Sequence, residues 1–216
     1  MQPNLSTNGN ASALTMIAAM AVIGVIDNYI SRIAEYLSIW QFLMVRAVFA
    51  IPLVGLLSYF GVGRLRPIRL WAVFMRSFLI AVAMLFYFSS LSLLSMTQGL
   101  AGLFTSPIFV LLITALLLRH RIGPIRIMAV GLGFAGIVLV LELDFANLTW
   151  LSILPIFGGL FYAAGSVATR QLCEGESTLS MLLMVLCIQF SIGTIVLCYF
   201  SLTPVEVLPG VDGYLS

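Results

Sequence analysis

Charged side chains are scarce in this sequence of 216 residues, and lysine is missing altogether. Only 8% of the residues are charged, whereas about a quarter are charged in an average soluble domain. A chain this poor in charge cannot cover a globular surface with polar groups, so its surroundings must be largely hydrocarbon. The sequence therefore predicts an integral membrane protein with a lipid bilayer as its first partner.

Histidine and cysteine are too few for the common metal, disulfide and catalytic sites. The one histidine, His120, lies in a turn and cannot form a zinc site alone. Of the three cysteines, Cys187 and Cys198 lie inside an apolar run and Cys173 in a turn, which is not a disulfide framework. Ser-His-Asp, Cys-His and HExxH arrangements are missing. We therefore expect no enzyme, no cofactor and no metal site, and turn-located arginines predict no nucleic-acid partner.

Long apolar runs replace the missing charge, and 62% of the residues are hydrophobic. About 20 helical residues cross the hydrocarbon core of a bilayer, and only helices or closed barrels satisfy their backbone groups there. The alternation that barrel strands require is missing. Seven runs have roughly the spanning length: Ala11–Ile30, Ile39–Phe60, Leu70–Leu94, Gln98–Leu118, Ile127–Leu143, Leu148–Thr169 and Leu179–Phe200. The predicted fold class is an all-α integral membrane protein, an antiparallel bundle of about seven spans.

The arginines between the runs predict the orientation in the membrane. With the N-terminus in the cytosol, seven arginines fall in cytosolic turns and Arg32 alone falls outside. Arginine is retained on the cytoplasmic side of membranes, so we expect a multi-pass protein of the cell inner membrane with a cytoplasmic N-terminus. The turns are short, so any chemistry must take place within or between the helices.

A weak internal repeat accompanies this pattern. One offset along the chain aligns Gly24 with Gly159 and Ser31 with Ser166. Five spans is an odd number, so a second five-span unit would enter the membrane in the opposite orientation. Such inverted repeats are common in transporters.

The segment Phe86–Gly136 resembles the signature region of the EamA family in the drug/metabolite transporter superfamily. The matching positions are Phe86, Tyr87, Leu91, Leu94, Pro107, Phe109, Gly131 and Gly136. Arg46 and Arg76 also lie where family members often carry an arginine. One turn differs, because the family commonly has Gly-Glu-Arg where this chain has Arg119, His120 and Arg121.

The resemblance implies a fold of ten helices in two inverted repeats, of which this chain would supply about seven. The first five-helix EamA-like repeat would span Ala11–Leu143, after an N-terminal tail of residues Met1–Asn10. Leu148–Phe200 would be the first two helices of an incomplete second repeat, and Ser201–Ser216 an external tail. We therefore expect a truncated or incomplete chain.

Charged residues within the spans are the first candidates for a functional site, because ions in hydrocarbon are costly and usually paired or functional. Asp27 and Arg46 lie equally far from the turn between the first two runs, which predicts that they face each other. The pair would either hold the two helices together or take part in substrate binding or proton coupling. Alternatively, the Arg46 side chain would extend to the membrane–water interface. Arg76 lies about 9 Å from the cytosolic end of the third run, counted from Leu70. It would either extend to the cytosolic interface or attract anionic groups in a pore.

Proline and hydroxyl side chains predict breaks or kinks within the spans, at Pro107, Pro155 and Pro52. Pro107 removes one backbone hydrogen bond from the fourth run, and Thr105 or Ser106 can bond to the freed carbonyl groups. Such a break would expose polar backbone to a cavity or let the helix flex, unless it is only a structural kink. Pro155 predicts a similar break in the sixth run.

Other polar and small side chains in the spans have a packing and a functional interpretation. Four polar residues would line a cavity or make hydrogen bonds between helices: Tyr87, Gln98, Tyr162 and Gln189. The G-x-G-x-x-G of Gly131–Gly136 lies inside an apolar run, so it predicts helix packing and not a dinucleotide site. A second patch of small residues lies in the sixth run and consists of Gly158, Gly159, Ala163, Gly165 and Ser166.

These features together favour a carrier that moves a small organic metabolite by alternating access. The resemblance implies an amino acid, a related metabolite or a drug-like compound as the small-molecule substrate, with export as the expected direction. The alternatives are a membrane assembly subunit that does not transport, and a membrane-embedded transferase, for which the required acids, histidines or metal site are missing. A homodimer stays open.

Overall fold

The structure is a computed structural model, and it describes residues 14–22, 24–25, 29, 38–94, 96–116, 123–140, 151 and 153–202. Within these ranges all regular secondary structure is helical. Residues 14–22 are helical, and seven further helices follow: α1 (Ile39–Tyr59), α2 (Leu70–Leu93), α3 (Met96–Phe104), α4 (Ser106–Leu116), α5 (Pro124–Val140), α6 (Ile153–Leu172) and α7 (Thr178–Leu202).

Five segments of the described chain are long and apolar enough to cross a membrane. They are Trp40–Tyr59, Leu70–Leu91, Gln98–Leu116, Ile153–Leu172 and Thr178–Tyr199. Their outward side chains are large and apolar, such as Phe49 of α1, which is 75% exposed. Water would not tolerate such a surface, but hydrocarbon favours it. The all-helical membrane fold is therefore confirmed, with five of the seven expected spans among the described residues.

The fourth expected span is divided into two helices. α3 ends at Phe104 and α4 begins at Ser106, with Thr105 between them. The Thr105 N–H donates to the Gly102 carbonyl oxygen at 3.1 Å, and the Thr105 hydroxyl donates to the same oxygen at 2.5 Å. Pro107 lies in the first turn of α4, where N–H groups have no partner within the helix. The missing N–H of proline therefore costs α4 no hydrogen bond.

Pro155 does not divide its helix. It is the third residue of α6, and the helix continues from it to Leu172. Proline is tolerated in the first turn because the N–H groups there have no partner within the helix. The described part of the sixth span thus has proline at its beginning and no break within it.

The helix α6 is central to the described part of the bundle. It packs against α2, α3 and α4, while α7 packs against α1 and α2. The α2–α6 pair is antiparallel, because Gly158 lies near Ala83 and Gly165, further along α6, lies near Ile80, earlier in α2. The Ser77 hydroxyl joins α2 to α7 by donating to the Met181 carbonyl oxygen at 3.3 Å.

Glycine allows α6 and α3 to approach at backbone distance. A Cβ atom added at Gly102 would overlap the backbone and the Cβ of Pro155. A Cβ added at Gly159 would overlap the Gly102 carbonyl oxygen and lie 2.5 Å from Thr105 Oγ1. We call this contact the glycine crossing. The small-residue patch of the sixth span thus packs closely against its neighbours, as predicted.

The glycines of α5 have a different environment. A Cβ added at Gly131, Gly133 or Gly136 would meet nothing within 4 Å among the described residues. The helix packing predicted for this motif therefore has no partner in the part of the chain that the structure describes. These positions serve as controls for the glycine crossing.

We expect the substitution Gly159→Ala to lower the thermal unfolding temperature in detergent. The added methyl group must displace the α3 backbone, and overpacking of this kind costs about 1–3 kcal/mol. The matched control is Gly133→Ala in α5, where the space is open and alanine favours helix by about 1 kcal/mol. Equal unfolding temperatures for the two variants would contradict the glycine crossing.

Candidate functional site

A charged side chain lies at the interface between α2 and α6. The half-buried Arg76 of α2 donates from Nε to Thr169 Oγ1 of α6 at 3.0 Å. The Thr169 hydroxyl in turn donates to the Gly165 carbonyl oxygen at 2.7 Å. Because Thr169 both accepts and donates, its oxygen is fixed and the plane of the guanidinium is oriented. The two Nη groups make no hydrogen bond within the part of the chain that the structure describes.

Tyr162 lies on the same side of α6 as Thr169. Seven residues separate them, which is about two helical turns. Around the helix axis, Tyr162 lies between Gly165, which contacts α2, and Gly159, which contacts α3. Its side chain is 38% exposed. Arg76, Thr169 and Tyr162 therefore lie along one face of α6, between its contacts with α2 and α3, and we call this face the central groove.

The break in the fourth span adjoins this groove. Thr105 Oγ1 lies against α6 at Gly159, one turn before Tyr162. Ser106 is half-buried and Pro107 is exposed in the first turn of α4. The structure thus brings Arg76, Thr105 and Tyr162, which the sequence places far apart, to the surface of one helix.

Arg46 and Tyr87 belong to a second cluster, between α1 and α2. The Arg46 guanidinium carbon lies 5.6 Å from the ring centroid of Phe88, a cation–π distance. Tyr87 and Phe88 are buried with Leu43. Asp27, the expected partner of Arg46, lies outside the described residues, so this ion pair stays a prediction.

Gln98 lies in the first turn of α3, away from both clusters in sequence. Its side chain is half-buried. Its expected position along a cavity stays a prediction.

Aromatic rings cover the other edge of the α2–α6 interface. The ring of Phe86 stacks on Phe157 at 5.9 Å and on Phe161 at 5.7 Å between centroids. Offset stacking at such distances adds about 0.5–1.5 kcal/mol per pair beyond area burial. These rings hold α2 and α6 together on the side opposite to the central groove.

Sequence reasoning did not identify Thr169. Its spacing of seven residues from Tyr162 was a usable signal, because residues seven apart share a helix face. The missing information was the register of α6 against α2. That register depends on the glycine contacts, which bring Thr169 opposite Arg76.

We expect Thr169→Val to lower the thermal stability more than Thr169→Ser. Valine keeps the shape of threonine but removes the oxygen that accepts from Arg76, a loss of about 1 kcal/mol for a bond inside a membrane protein. Serine retains the oxygen. The measurement is equilibrium unfolding of both variants in the same mixed micelles, and equal stability would show that the bond contributes nothing.

A family model matches most of the chain. The model describes the EamA-like transporter family and covers residues 10–142. No solved structure matches the chain significantly.

Several curated proteins are similar over part of their length. A riboflavin transporter of Rhizobium johnstonii is 29% identical over 141 residues, which is 64% of this chain and 46% of the relative. A riboflavin transporter of Brucella anthropi is 28% identical over 145 residues, or 67% of this chain and 50% of the relative. A third, from Vibrio cholerae, is 33% identical over 89 residues, or 41% of this chain and 30% of the relative. The chain spans about half or less of the length of these relatives.

Proposed function

Because the chain belongs to the EamA-like transporter family, as the signature in Phe86–Gly136 predicted, we propose that it moves a small organic metabolite across a membrane. The five apolar segments support a bilayer as its surroundings. The observation that carries the proposal furthest is Arg76, a cation held inside an apolar span with N–H donors to spare. An ion in such a position is costly and indicates a functional site.

Riboflavin is the first substrate to test. The three similar transporters are named for riboflavin. The chemistry of riboflavin also fits the central groove. The isoalloxazine ring is flat and carries carbonyl oxygens and ring nitrogens that accept hydrogen bonds. The Arg76 Nη groups can donate to adjacent acceptors in one plane, and the ring of Tyr162 offers a surface for stacking.

Alternating access is the mechanism that we propose for this fold. The glycine crossing holds α6 to α3 without intervening side chains and can serve as a pivot. The break at Thr105, next to that pivot, lets α4 move separately from α3. The inverted second repeat expected from the sequence would move against the first around a site between them.

The arginine positions support the proposed orientation. Arg64, Arg66 and Arg69 lie in the turn between α1 and α2, and Arg170 lies in the last turn of α6. Contacts between the α1–α2 and α6–α7 turns bring these four to one end of the bundle, which we call the arginine-rich end. We propose that it faces the cytoplasm of an inner membrane. A homodimer stays an expectation.

The test is riboflavin flux in proteoliposomes, followed by the fluorescence of riboflavin. We expect the unchanged protein to move riboflavin faster than empty vesicles, and loading from either side decides between export and uptake. Arg76→Gln should lower the flux about tenfold, because it removes charged donors to the substrate. The control Arg170→Gln, at an exposed position in the last turn of α6, should leave the flux unchanged.

Two outcomes would contradict the proposal. No flux of riboflavin by the folded, unchanged protein would exclude this substrate and favour the alternative of an assembly subunit. Equal flux in Arg76→Gln and Arg170→Gln would remove the central groove from the transport path.

A further inference from the structure

One carboxylate joins the two turns that form the arginine-rich end. Glu176, in the turn between α6 and α7, accepts the N–H of Ile68 at 2.9 Å and the N–H of Arg69 at 2.6 Å. These two groups immediately precede α2, and the N-cap residue of this helix, Arg69, makes no side-chain cap of its own. Glu176 therefore caps α2 from a different part of the chain.

Charge strengthens this contact. The N-terminus of α2 carries a partial positive charge, and Arg64 and Arg69 lie near the carboxylate. The hydrogen bond from Ile68 is the main cause that lowers the pKa of Glu176 below its ordinary value, with Arg69, Arg64 and the second N–H acting in the same direction. Glu176 is therefore ionised at neutral pH and binds α2 as an anion.

Polar and apolar contacts surround the carboxylate at this end, and Leu65 packs against the buried cluster of Val54, Leu179 and Leu186. The Ser58 hydroxyl donates to the Gly63 carbonyl oxygen at 2.8 Å, and a Cβ added at Gly63 would lie 2.7 Å from Ser177 Oγ. Both bonds to Glu176 are exposed to solvent. Water can replace exposed hydrogen bonds at small cost, whereas the glycine crossing cannot separate without exposing backbone. The bonds to Glu176 are therefore the contacts of α6 and its following turn that water can replace most readily.

A buried thiol lies beneath these turns. Cys173, just after α6, is 5% exposed and packs against Ala72 and Val73 of α2. If Glu176 left the N-terminus of α2, this packing would loosen and Cys173 would meet water. The chain thus contains its own reporter for opening at this end.

We propose that Glu176 is a latch that closes the arginine-rich end by binding the α6–α7 turn to the N-terminus of α2. The latch joins the segment that the family model matches to the helices that follow it. Its release opens the bundle on that side. The latch stands on geometry alone, and its part in transport rests on the proposed function.

The first experiment measures the rate at which a water-soluble maleimide alkylates Cys173, after Cys187→Ser and Cys198→Ser have removed the other thiols. Glu176→Gln and Glu176→Asp should both raise the rate at least about threefold, because each holds the two N–H groups more weakly. Burial raises the pKa of the Cys173 thiol, and the negative charge of Glu176 adds to this effect. Glu176→Asp keeps that charge, so a faster rate in that variant reports opening and not a more reactive thiol. The matched control is Glu174→Gln, which makes the same charge change at an exposed position in the same turn. It should keep the original rate.

A Glu176→Gln rate equal to that of the Glu174→Gln control would overturn the latch. Glu176→Gln should have the same elution volume in gel filtration and the same unfolding temperature as the unchanged protein. This agreement separates release of the latch from general misfolding. If Glu176→Gln does not fold, Glu176→Asp gives the same test, since its shorter carboxylate reaches the two N–H groups less well.

The second experiment locks the latch. Gly63→Cys and Ser177→Cys are introduced with all three native cysteines changed to serine, because the Gly63 Cβ position lies close enough to Ser177 for a disulfide. Oxidation should stop riboflavin flux, and reduction should restore it. Full flux in the oxidised protein would overturn the role of the latch in transport. Absence of flux even after reduction and in the unchanged protein would overturn the proposed function instead, while the alkylation rates still decide whether the latch exists.

Discussion

The close approach of α6 to α3 sets the register in which α6 meets its other neighbours. Lipid competes with side chains for apolar contact, so helices in a membrane associate through tight packing and hydrogen bonds more than through the hydrophobic effect. Gly102 and Gly159 remove the side chains that would separate the two backbones. With α6 held there, Gly165 meets Ile80 and Thr169 reaches Arg76. The polar site is thus a consequence of the packing.

The two ends of α6 are held in physically different ways. The glycine crossing is a backbone contact in an apolar surrounding, where separation would expose polar groups that lipid cannot satisfy. The Glu176 contact is a charged hydrogen bond in water, where separation costs less because solvent replaces each bond. Between them lies Arg76, oriented by Thr169. A helix held by backbone packing at one end and by exposed charged hydrogen bonds at the other, with a cation in between, fits the opening that we propose for the arginine-rich end.

Much of this architecture is predictable from sequence, for identifiable physical reasons. Backbone groups in hydrocarbon allow only helix here, and Pro107 with its hydroxyl neighbours indicates where the fourth span divides. Pairings between distant residues are harder. Nothing local relates Arg76 to Thr169 or Glu176 to Ile68, because both depend on the register of α6 against α2, which the glycines set in three dimensions. The same limit applies to Gly131, Gly133 and Gly136, whose sequence resembles a packing motif but whose described neighbourhood is open.

If Arg76 lies on a transport path, the groove beside it is reached by water and substrate while the outer surface of α1 faces lipid. The most direct measurement is the labelling of single cysteines by a charged thiol reagent in a bilayer, with Tyr162→Cys in the groove and Phe49→Cys on the outer surface of α1 as the control. We expect labelling of Tyr162→Cys, protection of that position by riboflavin, and no labelling of Phe49→Cys. Equal labelling at the two positions, or labelling of Tyr162→Cys that riboflavin leaves unchanged, would contradict it.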